Sequence, residues 1–233
     1  KKGALEVLWT TGALTVAKHI PHLYVPGPYA PGRIGVVEAT RVHLEKVLRN
    51  SGPLEVSYTD GAGLVGSGVY SAGWIQRGQE SVHERINQVT IAVAAPKNKS
   101  RARFVVEKLA EIGVARLLWL ESAFSEGRVP RVEKSASWAQ AALEQSRGAW
   151  LMEVTGPVTV ADVPRFGTVL LADRNGASLS DIDLPADAVL CVGPEGGFAP
   201  DEFLQSVARV SLGRNVLRGV TAALVGAAVL TLE

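Results

Sequence analysis

Leu190-Cys191-Val192-Gly193-Pro194-Glu195-Gly196-Gly197-Phe198 is the stretch whose reading decides the fold. An uninterrupted apolar run reads as a strand buried on both faces, the kind found in parallel sheets. It runs straight into a Gly-rich turn, whose glycines let the backbone approach a ligand and present N–H groups to it. Pro200 follows, suited to the first position of a new helix. The same pattern recurs at Leu212-Gly213-Arg214-Asn215-Val216-Leu217-Arg218, between a run at Ala208–Leu212 and the apolar Gly219–Leu232. Two such loops at the C-terminal ends of parallel strands form the usual ligand crevice of an open α/β sheet.

Upstream the alternation continues, with strands predicted at Val89–Ala94, Leu117–Leu120, Val169–Ala172 and Ala188–Val192. Helical spacing separates several of them, so a parallel sheet covered by helices is expected. One helix starts near Arg101, with Ser100 as its N-cap, Val105, Leu109 and Ile112 as its core stripe and Gly113 as its stop. Arg101, Phe104, Lys108 and Glu111 share another face of it. A second helix, from about Glu133 to Arg147, turns Trp138, Ala141 and Ala142 inward and groups Gln140, Glu144 and Arg147 elsewhere.

From Leu23 to Ile75 the sequence instead shows short apolar runs broken by turn residues, which reads as a small all-β unit; Val42–Arg49 alone has near-helical spacing. The polar stretch Gln76–Asn87 marks a boundary, giving units at residues 1–80 and 81–233. Gly61-Ala62-Gly63-Leu64-Val65-Gly66 has the letters of a dinucleotide fingerprint, but no helix follows it, and a hairpin turn after Asp60 is the better reading.

The whole chain has 233 residues, a net charge of +1 and 47% hydrophobic residues, an ordinary globular composition. Charge is uneven: residues 1–96 carry +2, residues 97–150 carry +4 and residues 151–233 carry −5. The basic middle suits an anionic partner. Gly219–Leu232 spans 14 residues, short of the roughly 20 needed to cross a bilayer, so it reads as a buried helix. With no signal peptide and a single cysteine, Cys191, a soluble cytoplasmic protein without disulfides is expected. The four histidines are scattered, and no metal-ligand spacing is present.

Taken in order, these segments resemble the RsmE-type family of the SPOUT superfamily, which methylates N3 of a uridine in 16S ribosomal RNA. The resemblance rests on His22-Leu23-Tyr24-Val25-Pro26, His43-Leu44 with Val47-Leu48-Arg49, Asp60-Gly61 and Lys108-Leu109-Ala110-Glu111-Ile112-Gly113. It continues in Glu121-Ser122, Glu144-Gln145-Ser146-Arg147, the Gly193–Phe198 loop with Glu202, and Leu212-Gly213 with Val216-Leu217-Arg218 and Thr221-Ala222. The chain departs from that family at Gly219-Val220, where Thr-Glu is common, at Gly52-Pro53 and at Val42, and residues 1–21 have no counterpart, as an extension would not.

The resemblance implies an α/β chain with a small PUA-like β-barrel, then a SPOUT domain ending in a trefoil knot that makes a homodimer. It implies S-adenosyl-L-methionine as cofactor, held by Leu171, Ala172, Gly193, Pro194, Glu195, Gly196, Gly197, Leu212, Gly213, Asn215, Val216, Leu217, Arg218 and Ala222. Small-subunit ribosomal RNA, or the 30S subunit, would be the partner, with no membrane and no metal. Arg147 or Arg218 would steady charge on the uracil carbonyls, and Glu144 or Glu111 would orient that arginine or accept the proton. Arg49, Lys97, Lys99, Arg101, Arg103 and Lys108 are the residues expected to meet RNA phosphates. The alternatives are a related enzyme acting on another RNA site, and a catalytically silent RNA-binding or ribosome-assembly factor; cofactor binding separates the last from the others.

Overall fold

The computed structural model describes residues 20–47, 52–203 and 207–232. The first sheet comprises β1 (His22–Tyr24), β2 (Arg33–Gly35), β3 (Leu54–Thr59), β4 (Leu64–Ser71) and β5 (Trp74–Val82), in the order β1-β3-β4-β5-β2. Its β1–β3 pair is parallel and the others are antiparallel. Helix α1 (Glu38–Val47) supplies Leu44 to a core of its own, with Leu23, Ile34, Val56, Tyr58 and Ile75. As the spacing of glycines suggests, Gly61–Gly66 is a hairpin rather than a nucleotide loop: the Asp60 carboxylate accepts the N–H groups of Ala62 and Leu64, at 2.7 and 3.0 Å. The polar stretch Gln76–Asn87, expected to mark a boundary, holds most of β5, whose residues beyond Ile75 are largely exposed. A strand exposed to water needs few apolar residues, which is why its sequence does not read as a strand.

The second sheet holds β6 (Thr90–Ala94), β7 (Arg116–Glu121), β8 (Glu153–Thr159), β9 (Thr168–Ser178), β10 (Ala188–Val192) and β11 (Ala208–Ser211), ordered β11-β9-β10-β6-β7-β8. Every pairing in it is parallel. Strands β6 and β10 are buried at each position, as the apolar runs require. Helices α2 (Lys99–Ile112), α3 (Val132–Ser146) and α4 (Gly219–Leu232) all pack on one face, against Ile91, Val93, Leu117, Trp119 and Leu190. The opposite face, with Ala92, Leu118, Val189 and Cys191, is covered by a 3-10 turn at Val160–Phe166 and by Phe198 and Phe203. Among the described residues, no helix is long and apolar enough to cross a membrane.

Three local expectations need correction. Helix α2 is capped by Asn98, not Ser100: the Asn98 side chain accepts the Ser100 N–H at 2.8 Å, starting the helix earlier. Ala141 is exposed, and Ala139 and Leu143 point inward with Trp138 and Ala142. Pro200 begins a turn, with Glu202 N–H donating to the Ala199 carbonyl at 3.1 Å, and residues 199–203 form no helix. In α4, Gly226 is an obligatory close approach, because a Cβ there would sit 2.1 Å from Leu190 Cδ2.

A hydrogen-bonded seam joins the two sheets through the segment after α3. Thr59 Oγ1 and Gly63 N–H both donate to the Ala149 carbonyl, at 3.1 and 3.0 Å, and Leu151 N–H donates to the Gly61 carbonyl at 2.9 Å. Buried His22 lies in this seam. Its Nε2 is 3.3 Å from the Gly148 carbonyl oxygen and its Nδ1 is 2.8 Å from Ser57 Oγ. A carbonyl only accepts, so Nε2 carries the proton of a neutral ring and Nδ1 accepts from Ser57. Burial, and after it the positive charge of Arg147, hold the His22 pKa below 6.5 against the raising effect of the Gly148 carbonyl. A depressed folded value means that the contribution of this ring to stability is present above pH 6.5 and is lost as pH falls through the folded value. The melting temperature is expected to drop on acidification over that window, and a His22→Gln protein to show a flatter profile; an unchanged profile would remove His22 as the cause.

Candidate active site

The C-terminal ends of β10 and β11, with the middle of β9 at Leu171–Arg174, open onto a cleft of about 690 Å³, within the volume range of small-molecule sites. Its lining brings together Leu171, Ala172, Gly193, Pro194, Glu195, Gly197, Leu212, Gly213, Asn215, Val216, Leu217, Arg218 and Ala222. Those are the expected cofactor residues with one exception. Gly196 is not in the lining; a Cβ on it would lie 3.2 Å from the Cβ of Phe124, facing the neighbouring loop. The turn spreads its glycines over two sides, so only some of them border the cleft.

The cleft also contains Phe198, from the loop quoted for the resemblance, and residues that the sequence did not single out: Asp173, Arg174, Phe203 and Arg209. Phe198 and Phe203 meet edge to face at 4.8 Å and form an apolar wall. The Asp173 carboxylate accepts the Asn175 N–H at 2.9 Å and pairs with Arg209; these two contacts, in that order, hold its pKa below the ordinary aspartate value. The available signal was position, since Asp173 directly follows Leu171-Ala172.

Of the four expected catalytic residues only Arg218 lines this cleft, at the head of α4 and without a carboxylate partner among the described residues. The others are elsewhere. Glu144 accepts the Tyr24 N–H at 2.9 Å, and Arg147, left-handed at the end of α3, donates to the Ile20 carbonyl at 2.7 Å. Both therefore belong to the seam. Glu111 pairs with Lys108 at 2.7 Å on the surface of α2.

The expected RNA-contacting set is also divided. Lys97 and Lys99 line a second cleft, of about 1610 Å³, at the ends of β6 and β7 and beside Gly156-Pro157 in the middle of β8. Arg101 is exposed on α2, Arg103 pairs with Glu107 at 2.7 Å, and Lys108 is held by Glu111. Arg49 lies outside the described residues. The loops that line the two clefts are tied together. One Glu202 oxygen accepts the Ala123 N–H at 2.7 Å and the other accepts the Ala199 N–H at 2.6 Å, clipping the β7–α3 loop to the loop after β10.

The sequence pattern of the RNA methyltransferase domain family matches residues 83–231. The ribosomal RNA small subunit methyltransferase E of Synechocystis sp. is 32% identical over 151 residues, covering 58% of this chain and 50% of that protein, so the match spans half the length of that relative. Among solved structures, a probable rRNA-methyltransferase from Porphyromonas gingivalis aligns at a TM-score of 0.78 and 27% identity, over 91% of this chain and 99% of that one. The ribosomal RNA small subunit methyltransferase E of Neisseria gonorrhoeae, solved with S-adenosyl methionine, aligns at a TM-score of 0.81 and 24% identity, over 92% and 98%. The two-sheet architecture is shared with both.

Proposed function

The chain belongs to the RNA methyltransferase domain family, and from that premise we propose that it transfers a methyl group from S-adenosyl-L-methionine to N3 of a uridine in small-subunit ribosomal RNA. The observation that carries this reading is the convergence of two sequence-distant loops, Gly193–Gly197 and Leu212–Arg218, on one cleft at the C-terminal edge of a parallel sheet. The residues present fit such a cofactor: backbone N–H groups for its polar atoms, and Phe198, Leu212 and Val216 for its apolar ones. The first sheet is read as PUA-like, and the second as a knotted SPOUT domain. The α4 helix, apolar around its whole circumference, is read as part of a homodimer contact. Cys191, buried and free, suits a reducing compartment such as the cytoplasm.

When bound, S-adenosyl-L-methionine supplies an electrophilic methyl group on sulfur. The work left to the protein is alignment, closure and charge. The two loops fix the donor in line with the acceptor nitrogen, which is where most of the rate gain from positioning arises. As the N–C bond forms and the S–C bond breaks, N3 gives up its proton and the uracil carbonyls gain charge. Arg218 faces that charge, and Glu195, which has no arginine partner among the described residues, is the carboxylate available to take the proton. Uridine N3 lies on the Watson–Crick edge, so the target base must be unpaired or extruded.

The deciding experiment is methyl transfer from labelled S-adenosyl-L-methionine to unmodified small subunits, with mass identification of the modified nucleoside. N3-methyluridine is the expected product; cofactor binding with a different product would relocate the target, and no cofactor binding would favour a silent RNA-binding factor. A Glu202→Ala protein loses two charge-assisted hydrogen bonds at a partly exposed clip. Its cofactor affinity is expected to fall by about tenfold, near the lower end for such bonds, as calorimetry would measure; unchanged affinity would show the clip to be irrelevant to the cleft.

A further inference from the structure

The second cleft has a composition of its own. Its floor is Leu120 with Gly156 and Pro157. One wall, the β6–α2 turn, carries Lys97 and Lys99; the other, the β7–α3 loop and the first turn of α3, carries Arg128, Arg131 and Lys134. Those five cations share the lining with two carboxylates, Glu121 and Glu133. Lys97 is paired with Glu126, and Lys134 lies 5.9 Å from the Trp138 ring, whereas Lys99, Arg128 and Arg131 have no carboxylate partner among the described residues. The N-terminus of α3, where Arg131 provides no side-chain cap, adds its free N–H groups to the same wall. The loop bearing Arg128 is wedged into place: Gly127 packs so closely on the segment just after β6 that a Cβ would sit 1.8 Å from the Ala95 carbonyl oxygen.

Resting on the reading of the chain as an RNA methyltransferase, we propose that this second cleft seats the phosphodiester backbone of a single RNA strand next to the methyl-transfer cleft. Cations on two facing walls focus a positive potential into a concave space, and guanidinium groups grip phosphate oxygens in pairs. The volume, about 1610 Å³, exceeds the usual small-ligand range of roughly 300–1,000 Å³ and accommodates a polyanion rather than one phosphate. No large exposed apolar side chain lies in the lining, so the cleft lacks the anchor that a protein partner would fill. The Glu202 clip ties the β7–α3 loop, which walls this cleft, to Ala199 in the lining of the first cleft, so a strand held here has the methyl-transfer cleft as its neighbour. A single strand is required because the reacting edge is hidden in a duplex.

The test is fluorescence anisotropy of a short, uridine-containing single-stranded RNA against the full chain over a salt series, with calorimetry of S-adenosyl-L-methionine alongside. An Arg128→Gln/Arg131→Gln protein is expected to lower the salt slope by roughly 1.4, about 0.7 for each phosphate that is no longer neutralised. It should bind RNA at least tenfold more weakly at low salt, with cofactor affinity and melting temperature unchanged. An Arg165→Gln control, at an exposed pair with Asp162, should match the unmodified protein. RNA binding and salt slope identical to the unmodified protein would overturn the assignment alone. Unmodified protein that binds the cofactor but no RNA would overturn the methyltransferase reading as well. Polyglutamate binding that disappears in the double variant, with RNA binding retained, would give the cleft to an acidic protein surface instead.

Discussion

Methyl transfer by an Arg218→Gln protein is expected to fall by roughly 10²–10³, the range seen when one preorganised donor to a developing anion is removed. Arg218 is the sole member of the expected catalytic set in the lining of the cleft at β9–β11, and no carboxylate among the described residues is paired with it. Its position is fixed from behind, because its own carbonyl accepts the Ala222 N–H at 2.8 Å in the first turn of α4. The backbone that would hold the donor is untouched by the substitution, so cofactor affinity should change little. Single-turnover rates against calorimetric affinity separate the two effects. A variant that keeps its single-turnover rate would remove Arg218 from the chemistry; one that loses cofactor affinity in proportion would make it a binding residue only.

The second large effect is on stability. Gly226→Leu places a side chain where even a Cβ would be 2.1 Å from Leu190 Cδ2. Leu190 is fully buried in the central strand β10 and has no space to retreat into. Overpacking of this kind costs about 1–3 kcal/mol or somewhat more, and at roughly 2–4 °C per kcal/mol for a chain of this size the melting temperature should fall by about 5–10 °C. Helix α4 also carries Gly219 and Ala222 of the cleft, so cofactor binding should weaken with it. The compensating variant Leu190→Ala/Gly226→Leu restores space at the same point and should recover much of the stability. If the double substitution is worse than the sum of the singles, the contact is not the cause.

The elements most legible in the sequence are those whose burial leaves no choice of pattern. Ala188–Val192 is apolar at each position because both faces of β10 are covered, and Gly219–Leu232 reads as one buried helix for the same reason. Strand β8 (Glu153–Thr159), by contrast, is the outer strand of its sheet, with only Val154 and Val158 buried, and its Gly156-Pro157 breaks the strand pattern, so the sequence does not announce it. At the site, backbone-presenting loops show themselves by Gly and Pro, which is why most of the residues that line the β9–β11 cleft are legible. Side-chain roles do not follow from spacing. Glu144 and Arg147 share a helix face in sequence, but that face meets β1 and not the cleft, a fact set by tertiary packing alone. Lys97 and Lys99 read with Arg101 and Arg103 as one basic run, yet only the first two, just before α2 and at its first residue, line a cleft whose other cations come from some thirty residues later.

The seam between the two sheets has a consequence for how the chain is made. Tyr24 is bonded to Glu144 and Ile20 to Arg147, separations of 120 and 127 residues. At about 5–20 residues per second on a ribosome, the anchors of β1 emerge roughly 6–25 s after the strand itself. Through that interval β1 is held by its three-residue parallel pairing with β3, by the His22–Ser57 hydrogen bond and by the packing of Leu23 in the core of the first sheet. Strand β1 is thus among the last parts of the described chain to receive all its partners, and a chain released before α3 is complete would carry a sheet edge without its Glu144 and Arg147 contacts.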